Sequence, residues 1–201
     1  MRTAPVVAPD SLPEPIAVAA WFVGHLNRIG VRYVIGGSFA SSVHREPRST
    51  NDIHVVADLH HMDVDRFIEG ISADSYVSPS AVAEAVRSGG TFNVIHIATA
   101  VKVDVFVVGD DAFDRERLGR SMRVQFSGTP HSVELLVDTA EDTILRKLDW
   151  YRRGDESSER QWRDITGVID AQGSRLDRPY LFAWAARLGV TDLLERALPE
   201  P

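Results

Sequence analysis

The sequence predicts an α+β fold: a mixed-sheet core with flanking helices, followed by a C-terminal helical bundle. Three observations point to that class of architecture. Up to Asp138, strand-like apolar segments alternate with segments of helical periodicity. After Asp138 only helical periodicity remains. The 201 residues, 44% hydrophobic and 25% charged, have ordinary globular composition and enough length for one good core. The pattern divides the chain into a flexible tail over 1–13, a mixed α+β core over 14–137 and a helical subdomain over 138–201.

From Pro15 to Ile29, Ile16, Ala19, Ala20, Val23 and Leu26 recur at three and four positions, predicting an amphipathic helix that Gly30 ends. Val31 to Gly37 reads as a buried strand entering a glycine turn, and SFASSVHR supplies the small residues of a helix after it. Asn51 to Leu59 is a second strand, with Ile53, Val55 and Ala57 on one face and Asp52, His54 and Val56 on the other. Asp58 is placed to cap the helix that follows. Helices near 60–70 and 79–88 bracket a short extended SYV, and TFNVIHIA and AVKVDVFVV form two strands expected to pair as a hairpin. In the second, Val103, Val105 and Val107 alternate with Lys102, Asp104 and Phe106, so Asp104 faces away from the valines, as Asp52 faces away from Ile53. A helix near 111–119 and the strands MRVQF and VELLV complete the mixed part. Helices over 139–153, 158–171, 178–188 and 191–198 follow, with capping signals at Thr139 and Ser158.

A net charge of −7 argues against a broad electrostatic grip on nucleic acid, which needs many cations on phosphates, but leaves room for a local basic cleft. The absence of cysteine removes disulfides and thiolate metal sites, in keeping with a reducing compartment. The first residues are broken by prolines rather than forming the apolar run of a signal peptide, and no stretch approaches the roughly 20 apolar residues that span a bilayer. The expectation is a cytoplasmic protein with no membrane partner.

Four features carry candidate chemistry. Gly36-Gly37-Ser38, between a strand and a helix, offers close backbone approach, exposed amides and a hydroxyl to a phosphate; a Gly-Gly pair at such a junction is more often just a turn. Asp52 and His54 lie two residues apart on one strand face, where two carboxylates would clamp a divalent metal. Asp104 sits in an apolar strand, where a carboxylate needs a cation, a hydrogen bond or an ion partner such as Lys102 or an arginine. In RKLDWYRRGDESSERQWRD, Lys147, Trp150, Tyr151 and Arg153 share adjacent turns of one helix and Arg160, Arg163 and Asp164 lie on the next. That run could set cations and aromatics over a triphosphate and a base, or form a solvated helix hairpin with ion pairs. The chain holds two lysines, Lys102 and Lys147.

The segment YVIGGSFASSVHREPRSTNDIHVVADL resembles the polymerase-β-like nucleotidyltransferase pattern: hydrophobic strand, Gly-Gly-Ser turn, short helix, then Arg-x-Thr-x-Asp-hydrophobic-Asp. VKVDVFVV looks like the strand of its third carboxylate. KLDWYRRG and SERQWRDITGVI are similar to helices of the AbiEii-type branch, which includes bacterial toxin nucleotidyltransferases. The resemblance implies that Gly36, Gly37 and Ser38 hold a nucleoside triphosphate, with Lys147, Tyr151 and Arg163 also nucleotide-binding. It implies that Asp52 and Asp104, with position 54, ligate Mg²⁺ or Mn²⁺, and that Asp52, Asp104, Lys147 and Asp164 form the catalytic set. The implied reaction moves a nucleoside monophosphate from an NTP to a hydroxyl acceptor such as RNA, with a cognate antitoxin protein as a partner. His54 departs from the pattern, because magnesium prefers hard oxygen ligands. An inactive protein, a nitrogen-tolerant metal such as manganese, and another nearby carboxylate all stay open. The alternative reading is a catalytically degenerate member that binds nucleotide, RNA or a protein partner.

Overall fold

The computed structural model describes residues 14–45, 52–127 and 132–198. The tail expected over 1–13, and Arg48 and Thr50 of the quoted motif, lie outside the described residues. The described part is built on one mixed sheet of seven strands. These are β1 (Tyr33–Gly36), β2 (Asp52–Ala57), β3 (Ser75–Val77), β4 (Thr91–His96), β5 (Lys102–Val107), β6 (Met122–Phe126) and β7 (Val133–Val137). Their order across the sheet is β3-β4-β5-β2-β1-β7-β6.

The register of the central strands decides what the sheet can present. β1 and β2 run antiparallel with Gly36 opposite His54. β2 and β5 run parallel, with Asp52 opposite Lys102, His54 opposite Asp104 and Val56 opposite Phe106. β4 and β5 form the expected hairpin, with Asn93 opposite Asp104. Because side chains alternate along a strand, one face of β2 and β5 carries Ile53, Val55, Val103 and Val105, all fully buried. The other face carries Asp52, His54, Lys102, Asp104 and Phe106. The amphipathic alternation thus folds the strands and sorts the chemistry onto one side.

The apolar face is covered by α1 (Glu14–Ile29), α3 (Val64–Ile71) and α4 (Pro79–Ser88). Phe22, Leu26, Phe67, Ile71 and Phe92 pack there with the valines, each fully buried large side chain contributing about 1.5–3 kcal/mol. Gly30, at a φ of 79°, closes α1 as expected, in the left-handed region that suits glycine. On the opposite face, Leu118 of α5 (Ala112–Arg120) packs on Val34 and Val56.

The helical half comprises α6 (Ala140–Arg153), α7 (Glu159–Gln172), α8 (Arg178–Leu188) and α9 (Thr191–Ala197). It has its own core of Ile144, Leu145, Leu148, Ile165, Val168, Leu181 and Leu194, which Phe113 of α5 also enters. Thr139 and Ser158 cap α6 and α7, their hydroxyls accepting from the amides of Asp142 and Gln161. One capping expectation is corrected. Asp58 does not cap the next helix; it accepts from Arg32 at 2.5 and 3.2 Å. The turn at His61–Asp63 is capped instead by His60, whose amide donates to Asp63 at 3.0 Å. A charged arginine within reach is a stronger partner for a carboxylate than a backbone amide further along.

Candidate functional site

β1 leads directly into α2 (Gly37–His44), and this junction has space only for glycine. Gly37 has a φ of 64°, and a Cβ there would lie 2.8 Å from Nδ1 of His54. A Cβ on Gly36 would lie 2.6 Å from Oδ2 of Asp138 and 2.7 Å from Nη2 of Arg117. The two glycines therefore let the strand-to-helix turn press onto the imidazole and onto a buried ion pair. Gly37 and Ser38, at the start of α2, line the cleft described below.

Next to that turn, Nε2 of His54 lies 3.6 Å from Oδ2 of Asp104. The same Oδ2 accepts from Nζ of Lys102 at 3.0 Å, and that ammonium is 4.0 Å from Oδ1 of Asp52. Burial pushes the His54 pKa below its ordinary value, outweighing the upward pull of Asp104 and Asp52, so the imidazole is neutral at neutral pH. Its ring packs on Phe106 with centroids 5.5 Å apart, and Phe106 meets the edge of Trp150 at 5.7 Å.

The third part joins the two halves. Nζ of Lys147 on α6 donates to Oδ2 of Asp164 on α7 at 3.0 Å, and Arg45 at the end of α2 donates to Oδ1 at 3.1 Å. Gly167, one helical turn further along α7, gives Arg45 its path, since a Cβ there would lie 2.9 Å from the guanidinium.

These parts border one open cleft of about 720 Å³ between sheet and helical half. Gly37, Ser38, Asp52, His54 and Phe106 line it from α2 and the strands, Lys147, Trp150 and Arg153 from α6, and Arg160 and Asp164 from α7. Asp110, Asp111, Asp114 and Asp138 line another side, where Arg117 and Arg146 offset their charge. Gly37, Ser38, Asp52, His54, Lys147 and Asp164 thus border one space.

Four expected residues, Gly36, Asp104, Tyr151 and Arg163, are not among those lining the cleft. Asp104 lies behind His54 and Lys102, with only 16% of its side chain exposed. Tyr151 is buried in the helical core against Trp162, because one residue further along a helix is about 100° around the axis; Trp150 takes the cleft-facing position. Arg163 is exposed on α7 and donates to the carbonyl of Glu159; Arg160 and Asp164, on the neighbouring face, turn toward the cleft.

Sequence reasoning missed the pair formed by Arg117 and Asp138. Asp138 is 1% and Arg117 3% exposed, and they share two hydrogen bonds of 3.1 and 2.6 Å. The signal available was an acid directly after the half-buried strand VELLV. Its partner sits in the charge-rich FDRERLGR, where nothing separates Arg117 from its neighbours except helical phase.

A divalent metal pair, which the resemblance implies, needs several anionic oxygens converging on one point. The residues present do not fit it. His54 brings a nitrogen, Asp104 is engaged by Lys102, and among the described residues no group of three or more histidines and acids is arranged to hold a metal ion.

Solved structures share this fold at low sequence identity. The antibiotic-resistance factor ANT(2'')-Ia in solution superposes with a TM-score of 0.56 at 11% identity, over 90% of this chain and 97% of that one. The same factor in complex with adenylyl-2''-tobramycin gives 0.55 at 10% identity, over 87% and 99%. An antigenic nucleotidyltransferase-like protein from Paracoccidioides brasiliensis gives 0.51 at 17% identity, over 94% of each chain. No protein-family model matches the sequence, and no curated protein matches it.

Proposed function

We propose that this chain is a catalytically degenerate nucleotidyltransferase-fold protein that binds a nucleotide in the cleft without transferring it. The observation that carries the reading is the cross-strand pair His54–Asp104. The position facing the third-carboxylate strand holds a neutral imidazole where the transfer reaction needs an anionic metal ligand. The features that bind rather than react are retained. Gly37 and Ser38 offer amides and a hydroxyl at the start of α2 to phosphate oxygens. Lys147, Arg153 and Arg160 bring cations, and Trp150, 44% exposed in the cleft, offers a face for a base.

Calorimetric titration with ATP, paired with incubation of the protein with labelled NTPs, Mg²⁺ or Mn²⁺ and total RNA, tests this. Binding heat without a labelled product is expected. Labelled product would instead support a second reading, a metal-dependent transferase acting on a hydroxyl acceptor. That reading is favoured by the placement of Asp52 and Asp104 on one sheet face. An RNA acceptor and an antitoxin partner rest on the sequence resemblance alone.

A further inference from the structure

We infer that Lys102 is a tethered cation that keeps divalent metal out of this site, so that nucleotide binding here is independent of metal. The inference deepens the nucleotide-binding reading and rests on it. Lys102 is opposite Asp52 across the parallel β2–β5 pair, one side-chain step from the row of His54 and Asp104. Strand alternation therefore sends the ammonium to the same face as all three. It reaches 3.0 Å from Asp104 and 4.0 Å from Asp52, between the two carboxylates that would have to share a metal.

Two anions on one sheet face repel unless a cation lies between them. In a metal-using site the ion supplies that charge; here a covalently attached one does. A divalent ion entering would have to displace the ammonium from Asp104, and the stem of Lys102 keeps the displaced charge nearby, opposing the newcomer. His54 adds to the exclusion, since its ring and Lys102 leave Asp104 only 16% exposed. Restoring an acid at position 54 is then insufficient for metal binding while Lys102 remains.

The test is a calorimetric series on the full chain with Mn²⁺ alone as the probe, using wild type, H54D, K102M, K102R and H54D/K102M, with thermal melts confirming that each variant folds. Wild type and K102R are expected to give no binding up to millimolar Mn²⁺, H54D little, and H54D/K102M an affinity at least about tenfold above H54D, since affinity follows ligand charge count. Tight Mn²⁺ binding by wild type, or equal gains in H54D and H54D/K102M, overturns the inference. Titration of wild type with ATP in EDTA and again with Mg²⁺ should give affinities within about twofold; a strict Mg²⁺ requirement also overturns it. Absence of ATP binding in both buffers would strike the nucleotide reading, while the Mn²⁺ series would still decide the role of Lys102.

Discussion

The Cα of Gly37 faces the ring of His54 so closely that an added Cβ would lie 2.8 Å from Nδ1 and 2.9 Å from Cγ. Glycine 37 is thus fixed by two independent constraints, the positive φ of 64° and the imidazole. G37A should destabilise by about 1–2 kcal/mol from backbone strain alone, plus the clash. In a double-mutant cycle with H54A, the ring atoms are gone and only the contact to Cβ, at 3.1 Å, persists. The coupling energy should then be favourable to the double mutant by at least about 0.5 kcal/mol in urea denaturation. Strict additivity would mean that the ring is not the obstacle.

Arg117 and Asp138 form the most deeply buried ion pair on the cleft wall. Burial works against the charge of Arg117, yet Asp138 and Asp114 hold its pKa above the ordinary value. Removing one partner strands the other in a poorly solvated place, so R117M should cost about 3–5 kcal/mol in urea denaturation. R117M/D138L, which removes both charges, should be less destabilised than R117M. If the double variant is the worse of the two, the pair is not the source of the cost.

Neighbouring residues Trp150 and Tyr151 should separate binding from folding. W150A removes a cleft-facing ring and should leave the melting temperature within a few degrees of wild type while weakening ATP binding about tenfold, the scale of base–aromatic stacking. Y151A empties a position in the helical core beside Trp162 and Arg196 and should lower stability by about 3 kcal/mol. Fluorescence-monitored unfolding and ATP calorimetry on both variants decide it, and the reverse pattern would put Tyr151 back in the site.

These contrasts mark what sequence can carry. Alternation along β2 and β5 sets Asp52, His54 and Asp104 opposite the apolar side of their own strands, because period two is a local property of the chain. Register is not local. Only the pairing of β2 with β5 brings Lys102 opposite Asp52 and His54 opposite Asp104, and this turns an apparent metal set into an ion-paired one. Tyr151 was misplaced for a related reason. A helix gives the angle between Trp150 and Tyr151, but not the angle at which the helix meets its neighbours. Arg117 and Asp138, 21 residues apart, meet through tertiary packing that no motif encodes.

Burial lowers the pKa of His54 against the pull of Asp104 and Asp52, and burial followed by Arg28 lowers that of His25. Both histidines therefore take up a proton less readily in the folded chain than in the unfolded one, whose imidazoles titrate near about 6.5. As pH falls through that value the unfolded state binds protons first, so stability present above it is progressively lost below it. Asp142 acts in the opposite sense, because burial raises its pKa and the folded state binds its proton first as the solution becomes acidic. Comparison of variants isolates the histidine contribution from this background. Urea midpoints of wild type should fall between pH 7.5 and 5.5, and H25N/H54N, which cannot titrate at either position, should fall less. An equal fall in both proteins would assign the pH dependence to other groups and remove His54 from it.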